Sequence, residues 1–321
     1  MSLNAYRVFD VTAVDVSRPS PNFVRVVLGG ADLASFGFVG IDQRVKLLLP
    51  NRLGEVPEFP GETGWYEAWA ALPDEERPPM RTYTPRSISG SGADTRLTID
   101  FARHTADPGP ASSWAETAKA GDVLRIVGPD AAFDGPNRAL GWIPPRDARR
   151  FLIVGDETSL PAIAGILVTL ESRDCARVIL EVADREDAAL LCADALIAAG
   201  TVKLTVLERD PAQPGAALVD AVRALDEVFP GAPADPHVLP LSGDELREID
   251  VDREVLWEVP GMDELTGAPL DSDARQSEGY AWLAGEAGAI KAIRRHLVAE
   301  RGIDRRFVAF MGYWRRGRSE N

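Results

Sequence analysis

Hydrophobic positions alternate with polar ones through the first part of the chain and then gather into solid apolar blocks. Phe23-Val24-Arg25-Val26-Val27-Leu28 ends at Gly29-Gly30, and Val45 to Leu49 ends at Pro50. Residues 6–50 therefore read as short β-strands closed by turn residues. Residues 51–80 are rich in Pro, Gly and acids, with aromatics at Trp65, Tyr66 and Trp69. They predict a loop carrying one short helix. In Met80-Arg81-Thr82-Tyr83-Thr84-Pro85-Arg86, a strand puts Arg81 and Tyr83 on one face and Thr82 and Thr84 on the other. A turn at Gly90-Ser91-Gly92 precedes a strand at Arg96 to Phe101, whose Leu97, Ile99 and Phe101 mark a buried face. Asp107-Pro108-Gly109-Pro110-Ala111-Ser112-Ser113-Trp114 leads into a short helix, and a strand from Asp122 to Val127 precedes Gly128-Pro129. The first half is thus mostly antiparallel β.

Residues 129–149 hold several Pro and Gly and read as an interdomain linker. Beyond them the period changes. Phe151 to Val154 predicts a strand, Leu160 to Leu170 a helix, Arg177 to Val182 a strand and Asp187 to Ala199 a helix. Val202 to Leu207, Ala216 to Leu225, Tyr280 to Ala284, Ala289 to Arg301 and Phe307 to Met311 continue the alternation. Such alternation predicts a parallel sheet covered on both faces, with ligands beyond the carboxyl ends of the strands. Gly155-Asp156-Glu157-Thr158 and Gly285-Glu286-Ala287-Gly288 fall at those ends. Neither is a GxGxxG fingerprint.

Composition adds limits. The chain has 321 residues, 45% hydrophobic and 26% charged, which suits two globular domains. A net charge of −15 does not suit binding to nucleic acid or to an anionic membrane. Only Cys175 and Cys192 are present, so no disulfide framework is expected and a reducing cytoplasm is. No charged and apolar leader opens the sequence, and apolar runs such as Leu160 to Leu170 are too short to span a bilayer. His104, His237 and His296 lie far apart, so no protein-held metal site is expected. Residues 231–279 break the strand–helix rhythm with 13 acidic side chains against three arginines. They read as an acidic insertion anchored at Val255-Leu256-Trp257.

The candidate chemistry is that of a flat, phosphate-bearing cofactor. The Arg81 guanidinium can pair with phosphate, Tyr83 can stack on a ring, and a threonine can hydrogen-bond a ring heteroatom. The helix start at Gly109 offers N–H groups to an anion, with Ser112 or Ser113 able to cap.

A β-rich first half followed by an α/β second half resembles the ferredoxin-reductase architecture. Arg81-x-Tyr83-Thr84, Asp100-Phe101-x-x-His104, Gly109-Pro110-Ala111-Ser112-x-Trp114, Gly155-Asp156-Glu157-Thr158-x-Leu160-Pro161-Ala162-Ile163, Ala284-Gly285-Glu286 and Gly312-Tyr313-Trp314-Arg315-Arg316-Gly317 resemble the siderophore-interacting protein family, FAD-dependent ferric-siderophore reductases. The resemblance implies a flavin-binding antiparallel β-barrel over residues 1–142 and an NAD(P)-binding α/β domain over residues 150–321. It implies Arg81, Tyr83 and Thr84 around the flavin ring and its phosphate. Asp100, Phe101, His104 and the Gly109–Trp114 turn, with Ala111 and Ser112, would bind the rest of FAD. Asp156, Thr158, Tyr313 and Trp314 would complete the cofactor site, the last two approaching from the C-terminal end. Gly155, Glu157, Gly285 and Glu286 would line the nicotinamide side, where NADH or NADPH docks; a ferredoxin is the alternative donor. The implied substrate is a ferric siderophore, with Lys46, Arg315 and Arg316 as candidate contacts. One departure is Asp130, which follows Gly128-Pro129 where the family pattern leads to a basic residue; a less anionic chelate is expected. A non-catalytic carrier of ferric siderophores and a generic flavin or ferredoxin reductase remain as alternatives.

Overall fold

The computed structural model describes residues 5–60, 64–104, 108–135, 139–198, 200–230, 257–260 and 277–317. Two compact units divide the chain, Met1–Leu140 and Gly141–Glu320.

The first unit holds β1 (Tyr6–Ser20), β2 (Phe23–Gly29), β3 (Val45–Leu48), α1 (Trp65–Ala70), β4 (Met80–Tyr83), β5 (Pro85–Ser89), β6 (Arg96–Ala102), α2 (Pro110–Thr117) and β7 (Val123–Pro129). The strands form one antiparallel sheet in the order β4-β3-β7-β1-β2-β6-β5. Its two edge strands are consecutive in the chain and joined by Thr84 alone. That buried residue brings the edges together and rolls the sheet round on itself. Every other residue of each strand points inward: Phe9 and Val11, Val24 and Val26, Val45 and Leu47, Leu97, Ile99 and Phe101, Leu124 and Ile126 form the core. Full burial of each such side chain stabilises by roughly 1.5 to 3 kcal/mol over exposure.

The expectation of short strands over residues 6–50 needs correction at β1, which runs for 15 residues. Its first half pairs with β7 and its second half with β2, with register shifts at Ala13/Asp15 and Ser17/Ser20. Bulges of this kind bend a strand so that it can serve two neighbours. The Arg81 strand ends at Tyr83, and Pro85 opens the next strand.

The second unit holds β8 (Arg150–Asp156), α3 (Leu160–Leu167), β9 (Cys175–Val182), α4 (Asp194–Ala198), β10 (Val202–Glu208), α5 (Ala216–Arg223), β11 (Trp257–Glu258), β12 (Gly279–Glu286), α6 (Ala287–Arg295) and β13 (Val308–Trp314). The sheet order is β10-β9-β8-β12-β13-β11, parallel except for the short β11 at its edge. Leu152, Val154, Ile179, Ala281, Leu283 and Phe310 face α5 and α6. The alternate residues Ile153, Val178, Leu180, Tyr280 and Trp282 are buried too, so both faces are covered. Trp142, inside the stretch read as linker, packs on Phe151 and Tyr280 at 5.1 and 5.5 Å.

Several element boundaries differ from expectation: α3 stops at Leu167 rather than Leu170, and α5 at Arg223 rather than Leu225. In place of a helix from Asp187 to Ala199, a 3₁₀ turn spans Arg185–Leu191 and α4 follows. The Asp184 carboxylate accepts from Glu186 N and starts the turn early, and Cys192 in the left-handed region (φ 52°) ends it. The last helix leaves α geometry at His296, whose carbonyl accepts from Arg301 N at 2.9 Å in a wide turn. The final strand reaches Trp314, because its pairing with β12 extends to Glu286↔Trp314. Most of the acidic segment 231–279, including the Val255-Leu256 anchor, lies outside the described residues. Of its described residues, Glu258 pairs with Arg294 at 2.9 Å, and that guanidinium lies over the Phe310 ring. Among the described residues no helix is long and apolar enough to cross a membrane.

Candidate functional site

In the first unit the site grows from the register of β4 on β3, which sets Arg81 opposite Leu47 and Tyr83 opposite Val45. Tyr83 therefore points at the barrel core. Its ring lies 4.6 Å from Phe101, which lies 5.6 Å from Trp114 on α2. Three aromatics on three separate elements make one wall. Burial pushes the Tyr83 hydroxyl well above the usual phenol range, with Arg81 pulling it back. The phenol is thus a neutral donor. Arg81 Nη1 donates to the carbonyl of Met80 at 2.9 Å. On the opposite face of the strand Lys46 Nζ donates to Thr82 Oγ1 at 2.7 Å.

Behind this wall Asp100 holds Arg25 through paired hydrogen bonds of 2.7 and 2.9 Å, and Arg86 Nη1 lies 3.3 Å away. The carboxylate is fully buried. Its work here is to fix two guanidinia in place. Arg25 and Arg86 were not singled out from the sequence. Arg25 became legible only through the cross-strand register Arg25↔Asp100.

The start of α2 carries the second feature. Its N-cap is Gly109, Pro110 follows, and no side chain among the described residues caps it. The expected serine cap does not form. Ser112 and Ser113 lie inside the helix, where a hydroxyl cannot reach back to the first N–H groups. Ser112 Oγ instead accepts from His104 N at 3.0 Å, tying the end of β6 to the helix, and Ser113 Oγ donates to Pro108 O at 3.3 Å. Ala111 is buried. A Cβ built on Gly109 would meet nothing within 4 Å. An open helix start with a positive end of the dipole suits a phosphate. The aromatic wall, the Arg81 strand and this open start fit FAD.

In the second unit Asp156 is the hub at the carboxyl end of β8. Its Oδ1 accepts from Thr158 N at 2.9 Å and Thr158 Oγ1 at 2.5 Å; its Oδ2 accepts from Glu286 N at 2.8 Å and Trp314 Nε1 at 2.7 Å. Two glycines make this possible. A Cβ on Gly155 would fall 1.9 Å from Ser159 Oγ, and one on Gly285 (φ 151°) 2.6 Å from Asp156 Oδ2. Glu286 caps α6, accepting from Ala289 N at 2.9 Å. Glu157 is buried in an ion pair with Arg209. Glu181, at the end of β9, accepts from Gly215 N at 2.7 Å. Burial raises its carboxyl above the usual range against the pull of that N–H, and the nearby Asp156 charge adds to the rise. Burial lowers the Arg209 guanidinium, and Asp156 opposes that. Glu181 and Arg209 escaped the sequence reading, since only parallel pairing of β8, β9 and β10 brings their strand ends together.

Among the predicted nicotinamide-side residues, Gly155, Glu157, Gly285 and Glu286 cluster round Asp156 with Thr158. Tyr313 stands edge-on to Trp282 at 6.5 Å. Of the substrate candidates, Arg316 Nη1 donates to the Ala212 carbonyl at 2.6 Å and its backbone N faces Glu286 Oε1 at 3.4 Å. Arg315 is the residue next to it, at the end of β13, and is half-buried. Lys46 is on the first unit. Asp130 lies 3.9 Å from Arg7. Among the described residues no three His, Cys, Asp or Glu side chains gather in a way that could hold a metal ion.

Residues 12–133 match the siderophore-interacting FAD-binding domain, and residues 148–317 match the siderophore-interacting protein family. An uncharacterized protein of Mycobacterium tuberculosis is 28% identical over 306 residues, covering 94% of this chain and 88% of that one. The NADPH-dependent ferric-chelate reductase of Escherichia coli is 35% identical over 168 residues, 52% of this chain and 59% of that protein. The crystal structure of a siderophore utilization protein from T. fusca superposes with a TM-score of 0.65 at 28% identity, covering 99% of this chain and 96% of that one.

Proposed function

Given that the chain belongs to the siderophore-interacting protein family, we propose that it is an FAD-dependent reductase of ferric siderophores driven by NAD(P)H. The observation that carries this reading is the open start of α2 beside the Tyr83–Phe101–Trp114 wall, a site for a phosphate next to a site for a ring. We assign the flavin to residues 1–142 and the nicotinamide to residues 150–321. The overall balance is one NAD(P)H and two ferric chelates giving NAD(P)⁺, a proton and two ferrous chelates. A bound flavin supplies the step from a two-electron donor to one-electron acceptors. Fe(II) is held far more weakly than Fe(III) by siderophore oxygens, so reduction frees the iron.

The chain's own residues bind and orient. Tyr83 offers a ring face and a neutral hydroxyl, Arg81 a cation on the same face of the strand, and the N–H groups after Gly109 an anion cradle. The Asp156 hub holds the turns of Gly155–Thr158 and Gly285–Glu286 in one arrangement. This chemistry requires no side chain as nucleophile or metal ligand. The two exposed thiols, Cys175 and Cys192, favour work in a reducing cytoplasm.

The test is the visible spectrum of the purified protein, repeated anaerobically with NADH, NADPH and a ferric chelate. The reading expects a flavin band that a nicotinamide bleaches and the chelate restores. A flavin that no nicotinamide bleaches would point to a ferredoxin donor or a carrier. Lack of flavin after reconstitution with FAD, or full flavin content in Arg81→Ala, would overturn the site assignment.

A further inference from the structure

The outer face of α6 carries a groove of about 350 Å³ within the α/β unit. Gly288 and Ala292, one helical turn apart, leave room for it, and Lys291, Arg295, Glu300 and Arg223 of α5 stand around it. Glu300 is the acid among these residues. Its carboxylate meets His296 Nδ1 at 2.7 Å and is held below the usual range by that bond and by the His296, Arg223 and Arg295 charges. It offsets one of three cations, so the groove keeps a positive balance. Asp220, the other charged residue of α5, does not line it.

An acidic stretch of the chain begins and ends beside this helix. Residues 231–256 hold seven acids against Arg247 and Arg253. Where the chain leaves α5, Arg301 donates to the carbonyls of Leu225 and Asp226 at 2.6 and 2.8 Å. Where it returns in β11, Glu258 pairs with Arg294 of α6 at 2.9 Å, and that guanidinium lies over Phe310 of β13. Successive helix residues turn by about 100°. Arg294, Lys291 and Arg295 therefore step round α6 from its β13 side to its outer face, and Arg223 continues the row onto α5. The 26 residues between the two anchors can reach far beyond the roughly 14 Å length of α6.

We propose that residues 231–256 dock along this row within the same chain, with their carboxylates on Lys291, Arg295 and Arg223. Charge selects the occupant. The chain as a whole carries −15, yet this helix face is cationic, and the stretch that starts and ends at its two sides is the acidic one. The docked stretch covers the face and withdraws it from other anions. The proposal does not depend on the reductase reading.

Zero-length carbodiimide coupling of the full chain, followed by peptide mass spectrometry, reads the contact, because it joins a lysine to a carboxylate only at ion-pair range. The chain has four lysines, Lys46, Lys119, Lys203 and Lys291, and Lys291 is the one that lines the groove. Lys291 is expected to couple to acids between Asp235 and Glu254, while Lys119 and Lys203 do so only at background. The yield should fall severalfold from about 0.05 M to about 1 M salt, where the Debye length is only about 3 Å. Arg223→Gln combined with Arg295→Gln should lower it about threefold at an unchanged melting temperature, since both side chains are exposed. Coupling of Lys291 only to acids outside 231–256, coupling spread evenly over the four lysines, or a yield that neither salt nor the double variant moves would overturn the proposal. Isotope-labelled and unlabelled chains, mixed before coupling, identify whose stretch is docked. Coupled peptides of a single label are expected, and mixed-label peptides would put a second copy's stretch in the groove and overturn the assignment.

Discussion

At the start of α2 the N-cap is Gly109 and no described side chain closes the helix; at the start of α6 it is Glu286, whose carboxylate takes Ala289 N. The turn after β8 is closed in the same way, by Asp156 accepting from Thr158 N. On the proposed reading the α2 start serves a ligand, whereas the turn after β8 and the start of α6 are satisfied by the α/β unit's own carboxylates. A helix start without a carboxylate cap favours a pyrophosphate, and one capped by Glu286 opposes it. Substitutions should accordingly unsettle the fold in one unit and the cofactor in the other.

The strongest challenge to this contrast is Asp156→Ala. Thr158 N, Thr158 Oγ1, Glu286 N and Trp314 Nε1 would all lose their acceptor. Since each buried unsatisfied donor costs about 1 to 3 kcal/mol and neighbouring losses do not add fully, a total of about 3 to 5 kcal/mol is expected. Urea denaturation followed by tryptophan emission would measure it, and a loss below about 1 kcal/mol would contradict the hub. Gly155→Ala comes next, because its Cβ would press on Ser159 Oγ and the Ala284 carbonyl. About 1 to 3 kcal/mol is expected, partly recovered by adding Ser159→Gly.

Gly109→Asp sharpens the comparison from the other side by giving α2 the self-capped start that α6 has. Its φ of −66° and ψ of 169° suit any residue. Thermal stability should hold or rise by a few tenths of a kcal/mol, while FAD affinity falls by about tenfold, read by titration of the apoprotein. Equal FAD affinity would remove the phosphate from the α2 start. Trp314→Phe deletes one donor to Asp156 and should cost about 1 kcal/mol in the same urea experiment.

The smallest effect concerns pH. Burial raises the Glu181 carboxyl, so the folded state holds its proton more tightly than the unfolded chain. The stability this confers is full below the ordinary carboxylate value and is lost as pH rises through the raised one. Glu181→Gln should flatten that decline and make the protein slightly more stable at neutral pH. An unchanged pH profile of the melting temperature would show that Glu181 does not titrate as placed.

Much of this was legible in the residue pattern. Period-two alternation marked β2, β3 and β6, and apolar blocks followed by glycine marked β8 and β12, because a strand's burial is written directly in its own side chains. The Arg81–Thr84 string and the Gly109 turn marked the proposed cofactor side for a similar reason: the backbone conformation and the chemistry lie within a few consecutive residues. What pairing decided was hidden. The meeting of β4 and β5 at Thr84, the Arg25–Asp100–Arg86 cluster and the four donors around Asp156 all join residues distant in the chain. Register alone sets which of them touch, and register comes from the packing of whole sheets. Even the helix starts follow this division. The sequence showed glycine at 109 and glutamate at 286, but only the fold determined that no described side chain closes the first start and that the second is closed by its own carboxylate.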